Sequence, residues 1–396
     1  MNNTVNATLI RHASVYAPEV LGVCDILCVG KVIAKIAPTI DPVPLRTVFP
    51  DMEVLEAEGY IAAPGFVDFH MHFNGGGGEN RPEFRTPAAK LSELTCSGIT
   101  TAVGLLGTDG VGRSLRELYM KARGLQNEGI STWIFTGAYQ LPSPTITGSV
   151  LADIAMIDKV VGLKLAYADH RSSQPDDVTL VKAVAESRVG GITGGKSGKV
   201  MVHMGNSADG LERIRHAFAH TEVPLTQIIP THLNRSFDVF EAAIIHGKAG
   251  GNVDVTSGVS EKLSFHGTVE PAKAIARLID SGVPVERITM SSDGYGSMTV
   301  LGPDGKLRAS VSPVASLYDE FVNTLHEGVS VTDAIRIVTA NPADSLELPG
   351  KGHIKEGMDA DLLIIGANDY SLKAVFAMGR KMVENGTALV KGVFEG

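Results

Sequence analysis

The sequence predicts an α/β chain: a (β/α)8 TIM barrel with a small β-sandwich domain built from both chain termini. Three observations point there. Apolar, β-rich runs alternate with helical stretches through the middle of the chain. Both ends carry short strands instead. Several of the middle runs close on His, Lys or Asp, and a parallel barrel keeps its reactive groups where its strands end.

The elements follow in order. Residues 8–10, 24–29, 32–36 and 54–57 read as strands, broken by Gly30, Pro38, Pro42, Pro44 and Pro50, with no helical period among them. From Gly65 onward, strand, loop and helix repeat. The strand-like runs are 65–72, 99–106, 132–138, 160–166, 199–203, 226–231, 252–256 and 287–292. Strands buried on both faces read as continuous apolar runs of this kind. Helical stretches lie between most of them, at 88–97, 113–128, 178–187, 210–219, 237–248 and 271–281. Eight such units over roughly 250 residues suit a closed barrel. After Asn341-Pro342 the β pattern returns at 353–354, 360–365, 374–378 and 381–383. The predicted organisation is therefore a small β domain from residues 1–63 and 345–396, and a metal-binding catalytic barrel from 64–344.

Composition narrows the partners. The chain has 396 residues, 44% of them hydrophobic, and a net charge of −9. That charge disfavours nucleic acid and anionic membranes, which call for clustered Lys and Arg. No apolar stretch reaches the roughly 18 residues of a membrane span, and Met1-Asn2-Asn3-Thr4 lacks a basic leader, so a cytoplasmic location is expected. Cys24, Cys28 and Cys96 are too few and too scattered for a disulfide framework or a zinc knuckle.

The chemistry gathers at the strand ends. His70 and His72 are two apart, so in a strand they face the same way, as a metal-ligand pair does. Lys164 lies inside the apolar run 160–166. Either its ammonium reaches the rim, or burial lowers its pKa until the neutral amine adds CO2 as a carbamate able to bridge two metals. His203, His232 and Asp293 close three further runs. One histidine at a strand end is more often a core or surface residue; this many such groups at one end of one barrel converge on a single small volume.

This set resembles the binuclear-metal amidohydrolase superfamily, as does the segment 352–362 near the C-terminus. The segments 74–79, 104–108, 136–139, 169–172 and 291–297 narrow the resemblance to the isoaspartyl dipeptidase family, over essentially the whole chain. The resemblance implies two Zn2+ per subunit, with His70 and His72 on one, His203 and His232 on the other, N6-carboxylated Lys164 bridging them and Asp293 on the first. It implies attack by a metal-bridging hydroxide, Asp293 acting as general base and then acid, and Tyr139 donating to the oxyanion. The substrate implied is a small isoaspartyl dipeptide. Glu79 suits its ammonium, while Arg171 and Arg235 suit a carboxylate through forked hydrogen bonds. Ser297 joins them on the leaving residue, and Gly77 and Thr108 contact the aspartyl α-carboxylate. A homo-oligomer, an octamer by resemblance, is also implied.

Other patterns carry less. Residues 190–197 match GxxxxGK[ST], but a helix precedes them and a strand follows, the reverse of a phosphate-binding loop. His216 and His220 are four apart on an outer helix with no Glu after His216, so a surface reading is preferred. His12, His170, His246, His266, His326 and His353 receive no role. The loop 257–267 is longer than the resemblance leads one to expect and could lie over the site. The competing functions are another amidohydrolase (a dihydroorotase, hydantoinase or N-acyl amino acid deacylase), a non-catalytic scaffold on the same fold, and a nucleotide-binding protein.

Overall fold

The computed structural model describes residues 6–79, 81–260, 267–302, 304 and 306–396. Five strands come first: β1 (Ala7–Tyr16), β2 (Val20–Val29), β3 (Val32–Ala37), β4 (Glu53–Glu56) and β5 (Tyr60–Pro64). Between β3 and β4 lies a short helix, α1 (Pro42–Val48), in the proline-rich stretch where no helix was expected. The prolines that read as breaks serve there as a helix start: Asp41 caps it by accepting from Val43 N, and Pro42 occupies the first turn, which needs no N–H donor.

Eight barrel strands follow: β6 (Phe66–Met71), β7 (Ile99–Gly104), β8 (Ser131–Gly137), β9 (Val160–Tyr167), β10 (Lys199–Met204), β11 (Ile228–Thr231), β12 (Val253–Thr256) and β13 (Ile288–Ser291). Strands β6 to β11 form one ladder in sequence order, and β12 pairs with β13. The ladder is interrupted between β11 and β12 and between β13 and β6. At the second joint a single parallel bridge joins Met71 to Gly294 just beyond β13, with His72 N donating to Gly294 O at 2.8 Å. The strands are buried along almost their whole length, as their apolar runs require. Val67, Phe69, Val103, Phe135, Val161, Met201 and Ile229 fill the interior, joined by Ala343, Leu346 and Leu348. The inside is therefore a packed core that ends beneath the site.

Helices cover the outside: α2 (Leu91–Cys96), α3 (Leu115–Glu128), α4 (Val150–Met156), α5 (Asp177–Gly194), α6 (Gly210–Phe218), α7 (Phe237–Lys248) and α8 (Pro271–Asp280). Side-chain caps at Ser114, Ser149, Asp176 and Ser236 start four of them. Helix α5 runs on to Gly194, so Gly190 to Gly194 of the GxxxxGK[ST] pattern lie in its last turns and β10 follows. No phosphate can meet a helix N-terminus there.

Beyond β13 come a hairpin, β14 (Ser297–Leu301) and β15 (Leu307–Val311), and three helices, α9 (Ser316–His326), α10 (Val331–Val338) and α11 (Ala340–Ser345). The chain then returns as β16 (Leu362–Gly366), β17 (Leu372–Ala377), β18 (Arg380–Glu384) and β19 (Thr387–Ala388). Residues 353–354, expected as a strand, are instead an irregular link: His353 Nε2 reaches Asp344 Oδ1 at 2.9 Å and Ile354 N donates to Ala17 O. β16 pairs antiparallel with β5, so strands from both termini join one nine-stranded sheet. The sheet folds over on itself. A bridge links Val32 to Asp359, Ala360 N donates to Lys31 O, and Gly379 N donates to Ala360 O. A second core, including Ile10, Ile26, Ile33, Leu362, Ile364 and Phe376, lies within that fold.

Of the segment expected to form a long loop over the site, residues 261–266 lie outside the described residues. Among the described residues no helix is long and apolar enough to cross a membrane.

Candidate active site

The strand ends bring their polar groups together. His70 is the penultimate residue of β6, His72 lies just past its end, and Asp293 lies two residues past β13. His70 Nε2 is 3.5 Å and His72 Nε2 3.2 Å from Asp293 Oδ1, and the three residues form a group able to hold a metal ion. Asp293 Oδ1 is buried with no hydrogen-bond partner among the described residues. Two imidazole nitrogens and an unsatisfied carboxylate oxygen aimed at one point fit a divalent cation with a preference for N and O ligands.

A second pair adjoins them. The ring of His232 lies 5.0 Å from that of His70 and 4.6 Å from that of His203. Lys164 Nζ is 3.4 Å from His70 Nε2. His70, Lys164, His203 and His232 are all buried. Burial, with Lys164 adding to it, pushes His70 well below the usual histidine range, and burial does the same to His203 and His232. These imidazoles are neutral at neutral pH and keep lone pairs for a metal. Burial also brings the Lys164 ammonium down to about 7, although Asp293 and Asp254 oppose it. The backbone is strained where it turns into the site: His232 and Asp293 have φ of 65° and 53°, the left-handed region.

The supports lie one shell out. His232 Nδ1 is 2.8 Å from Thr256 Oγ1 at the end of β12, which turns Nε2 inward. Asp254 accepts from Thr231, Thr289 and Ser291 hydroxyls, tying the ends of β11 and β13 together. Asp68 accepts from the Ser292 hydroxyl and so ties β6 to the end of β13.

On the His203 side, Tyr139 OH lies 2.6 Å from His203 Nδ1. Burial pushes the phenol above its usual range, so it remains a hydrogen-bond donor. Arg171 stands over the Tyr139 ring at 5.4 Å and pairs with Asp169 by two side-chain hydrogen bonds of 3.0 Å each. Burial opposes ionisation of Asp169, but hydrogen bonds from His203 and Arg171 hold it well below the usual carboxylate range. Arg235 is different. Its Nη1 is 3.5 Å from His203 Nε2, and its buried Nε finds no hydrogen-bond partner among the described residues.

Above these groups opens a cavity of about 680 Å3, with Glu79, Asp169, Arg171, Arg235 and Ser297 among its lining. One of its walls is the β14–β15 hairpin, through Met298, Thr299, Ala309, Ser310 and Val311. Glu79 Oε1 is 3.2 Å from Thr108 Oγ1 and 3.6 Å from Arg171 Nη1, and Oε2 accepts from Ser297 Oγ at 2.9 Å. Gly77 pairs with Arg85 by a backbone bridge at a φ of 77°. A Cβ there would fall 2.3 Å from Phe84 O, so only glycine lets the loop that carries Glu79 close this way.

The Amidohydrolase family pattern matches residues 196–392. The structure is similar to that of a beta-aspartyl dipeptidase from Fervidobacterium islandicum in complex with a beta-Asp-Leu dipeptide, at 35% identity and a TM-score of 0.86, covering 96% of this chain and 98% of that one. The chain belongs to the amidohydrolase family. It is a metal-dependent enzyme of the beta-aspartyl dipeptidase kind. A dihydropyrimidinase from Brevibacillus agri is 18% identical with a TM-score of 0.69, over 98% of this amidohydrolase and 97% of that chain, a likeness of fold alone. A dihydroorotase from Staphylococcus aureus is 37% identical over 78 residues, 20% of this chain, and the match spans only 17% of that protein's length.

The fold of the amidohydrolase thus brings together His70, His72, Lys164, His203, His232 and Asp293, and sets Tyr139, Arg171 and Arg235 against His203. Glu79, Thr108 and Ser297 meet one another, with Gly77 closing their loop. His216, on α6, and His220, two residues past its end, stay exposed with ring centroids 6.2 Å apart, away from this cluster. Sequence reasoning missed Asp169, Thr256 and Asp254 as supports. Asp169 could have been found: a carboxylate two residues before an Arg just past a ligand-bearing strand is placed to hold it.

Proposed function

We propose that this amidohydrolase cleaves the β-aspartyl bond of isoaspartyl dipeptides. The observation that carries the reading is the charge pattern above the metal-binding group. Glu79 and Arg235 both line the cavity, and Arg235 is a half-buried cation whose buried Nε has no partner among the described residues. A guanidinium with a buried N–H left in this way calls for an anion. A dipeptide with one ammonium and two carboxylates supplies both signs. Neutral ring amides supply neither, and a site built for charged ends rejects ligands that leave them unmatched.

In this reading His70, His72 and Asp293 would hold one Zn2+, His203 and His232 a second, with carboxylated Lys164 as the shared ligand. Two such cations supply Lewis acidity and lower the pKa of a bound water toward neutrality. The chain's own groups do the rest. Glu79 takes the α-ammonium, and Gly77 and Thr108 lie beside the position of the aspartyl α-carboxylate. Arg171, Arg235 and Ser297 take the carboxylate of the leaving residue, so the scissile amide is held over the metal-binding group. Asp293 accepts a proton from the attacking water and returns it to the leaving amine. Tyr139 donates its hydroxyl proton in a hydrogen bond to the oxyanion. A homo-oligomer belongs to the same proposal.

The test is a substrate panel with metal-loaded protein: β-Asp-Leu, α-Asp-Leu, N-acetyl-leucine, dihydroorotate and a 5-substituted hydantoin. Cleavage of β-Asp-Leu alone is expected. Turnover of dihydroorotate or the hydantoin, with β-Asp-Leu untouched, would assign the site to a cyclic-amide hydrolase instead.

A further inference from the structure

Asp169 sits just beyond β9, where the two halves of the site meet. Its side chain is 4% exposed, and both oxygens are engaged. Oδ1 accepts from Arg171 N at 2.7 Å and from Arg171 Nε at 3.0 Å. Oδ2 accepts from Arg171 Nη2 at 3.0 Å and lies 3.1 Å from His203 Nε2. We propose that Asp169 is a positioning residue, which aims the Arg171 fork at the substrate cavity and fixes the nitrogen of His203 that carries the proton. The Arg171 half of this inference rests on the dipeptidase reading; the His203 half does not.

The geometry carries both halves. With Nε and Nη2 held by Asp169, Nη1 is the end left toward the cavity, on the side of Glu79 Oε1 at 3.6 Å. The guanidinium is oriented before any substrate arrives, so binding a carboxylate costs less rotamer entropy. Arg171 Nη2 also lies 2.9 Å from His203 Nε2. Arg235 Nη1, at 3.5 Å, faces the same nitrogen, but Asp169 Oδ2 can only accept, and its 3.1 Å approach selects the tautomer in which Nε2 carries the proton. His203 Nε2–H then donates to Asp169, and the lone pair is left on Nδ1, where it meets Tyr139 OH. A histidine whose far N–H donates to a carboxylate is oriented and made more basic as a metal ligand.

Asp169→Asn keeps the size of the side chain and removes its charge. Steady-state kinetics with β-Asp-Leu and with β-Asp-leucinamide, which lacks the terminal carboxylate, separate the roles. The KM for β-Asp-Leu is expected to rise about 10-fold or more, the loss of a hydrogen bond between charged groups. The KM for the amide is expected to stay within about twofold. Metal affinity, read by titration with Zn2+ and a competing chelator, is expected to fall about 10–100-fold. The double variant Asp169→Asn/Arg171→Met is expected to match Arg171→Met in KM. An equal rise for both substrates, or additive losses in the double variant, would overturn the Arg171 half. Unchanged metal affinity would overturn the His203 half.

If Asp169→Asn does not fold, Arg171→Lys reads the same contact, because an ammonium cannot take the two-point hold. A KM near that of Arg171→Met is expected, and a wild-type KM would contradict the proposal. If wild-type protein cleaves neither substrate, the dipeptidase reading and the Arg171 half fall together. The metal titration still decides the His203 half.

Discussion

A lysine surrounded by histidines is tolerated in a barrel core only if it sheds its proton or gains an anion. Lys164 meets that condition through burial, which brings its ammonium down to about 7. Lys164→Ala is expected to lose bound metal and turnover together, with partial return when short carboxylic acids are added. Metal analysis beside activity checks this, and full metal loading with normal turnover in the variant contradicts it. His246, on α7, has no catalytic place. It is fully buried, and neither ring nitrogen has a hydrogen-bond partner among the described residues. Burial pushes its pKa down to about 4, with Arg215 adding to the effect. The unfolded chain therefore binds the proton first, at about 6.5. The stability this neutral histidine preserves is whole above that pH and is lost as pH falls toward 4. Between pH 7 and pH 5 the loss is about 2 kcal/mol. Urea unfolding of His246→Phe at the two pH values should show a correspondingly smaller drop than wild type. At this scale the sequence exposed the groups that end strands, because strand ends can be read from apolar runs. It concealed Thr256, whose role exists only through its contact with His232.

Among the elements, the joint between β9 and β10 matters most, because it sets Lys164 beside His203. Gly162 faces Lys199 across that joint, and a Cβ there would fall 2.0 Å from Lys199 O. Gly162→Ala must push the two strands apart. The expected cost is about 1–3 kcal/mol, as for other overpacked cores. Metal affinity should fall with it, since ligands come from both strands. Thermal melting and metal titration check this; a wild-type melt and affinity would show that the strands have slack. The barrel strands were legible to within a few residues because burial on both faces leaves an unbroken apolar run. Helix α1, the β14–β15 hairpin and the helices α9 to α11 were not. α1 is short and rich in residues that usually break helices, and the hairpin's Asp304-Gly305 turn signal sits in a five-residue connection, 302–306, rather than in the two-residue one it flags most clearly. The hairpin's place as a cavity wall follows from the tertiary fold.

For the whole molecule, the question is how the terminal sheet is held to the barrel. Lys351, nearly buried just after the barrel's last helix, places Nζ 2.6 Å from Asp359 Oδ2 and 2.7 Å from Asp361 Oδ2, ahead of β16. Lys351→Met leaves two carboxylates without their cation, and removing one partner of a buried ion pair costs about 3–5 kcal/mol. A lower urea midpoint is expected, with β-Asp-Leu turnover per folded molecule unchanged, because the triad lies far along the chain from the catalytic strand ends. Sheet and barrel could be placed along the chain from the sequence because each has its own periodicity. Their joining through β5 and β16 could not, since pairing between residues some three hundred positions apart leaves no local trace. The central claim is that the charges above the metal-binding group select a β-linked dipeptide. Its most direct test is the ratio of kcat/KM for β-Asp-Leu to that for α-Asp-Leu, measured on one preparation of metal-loaded protein. The account predicts hydrolysis of the β-linked dipeptide with the α-linked one essentially untouched; equal rates, or no cleavage of either with the metal in place, would contradict it.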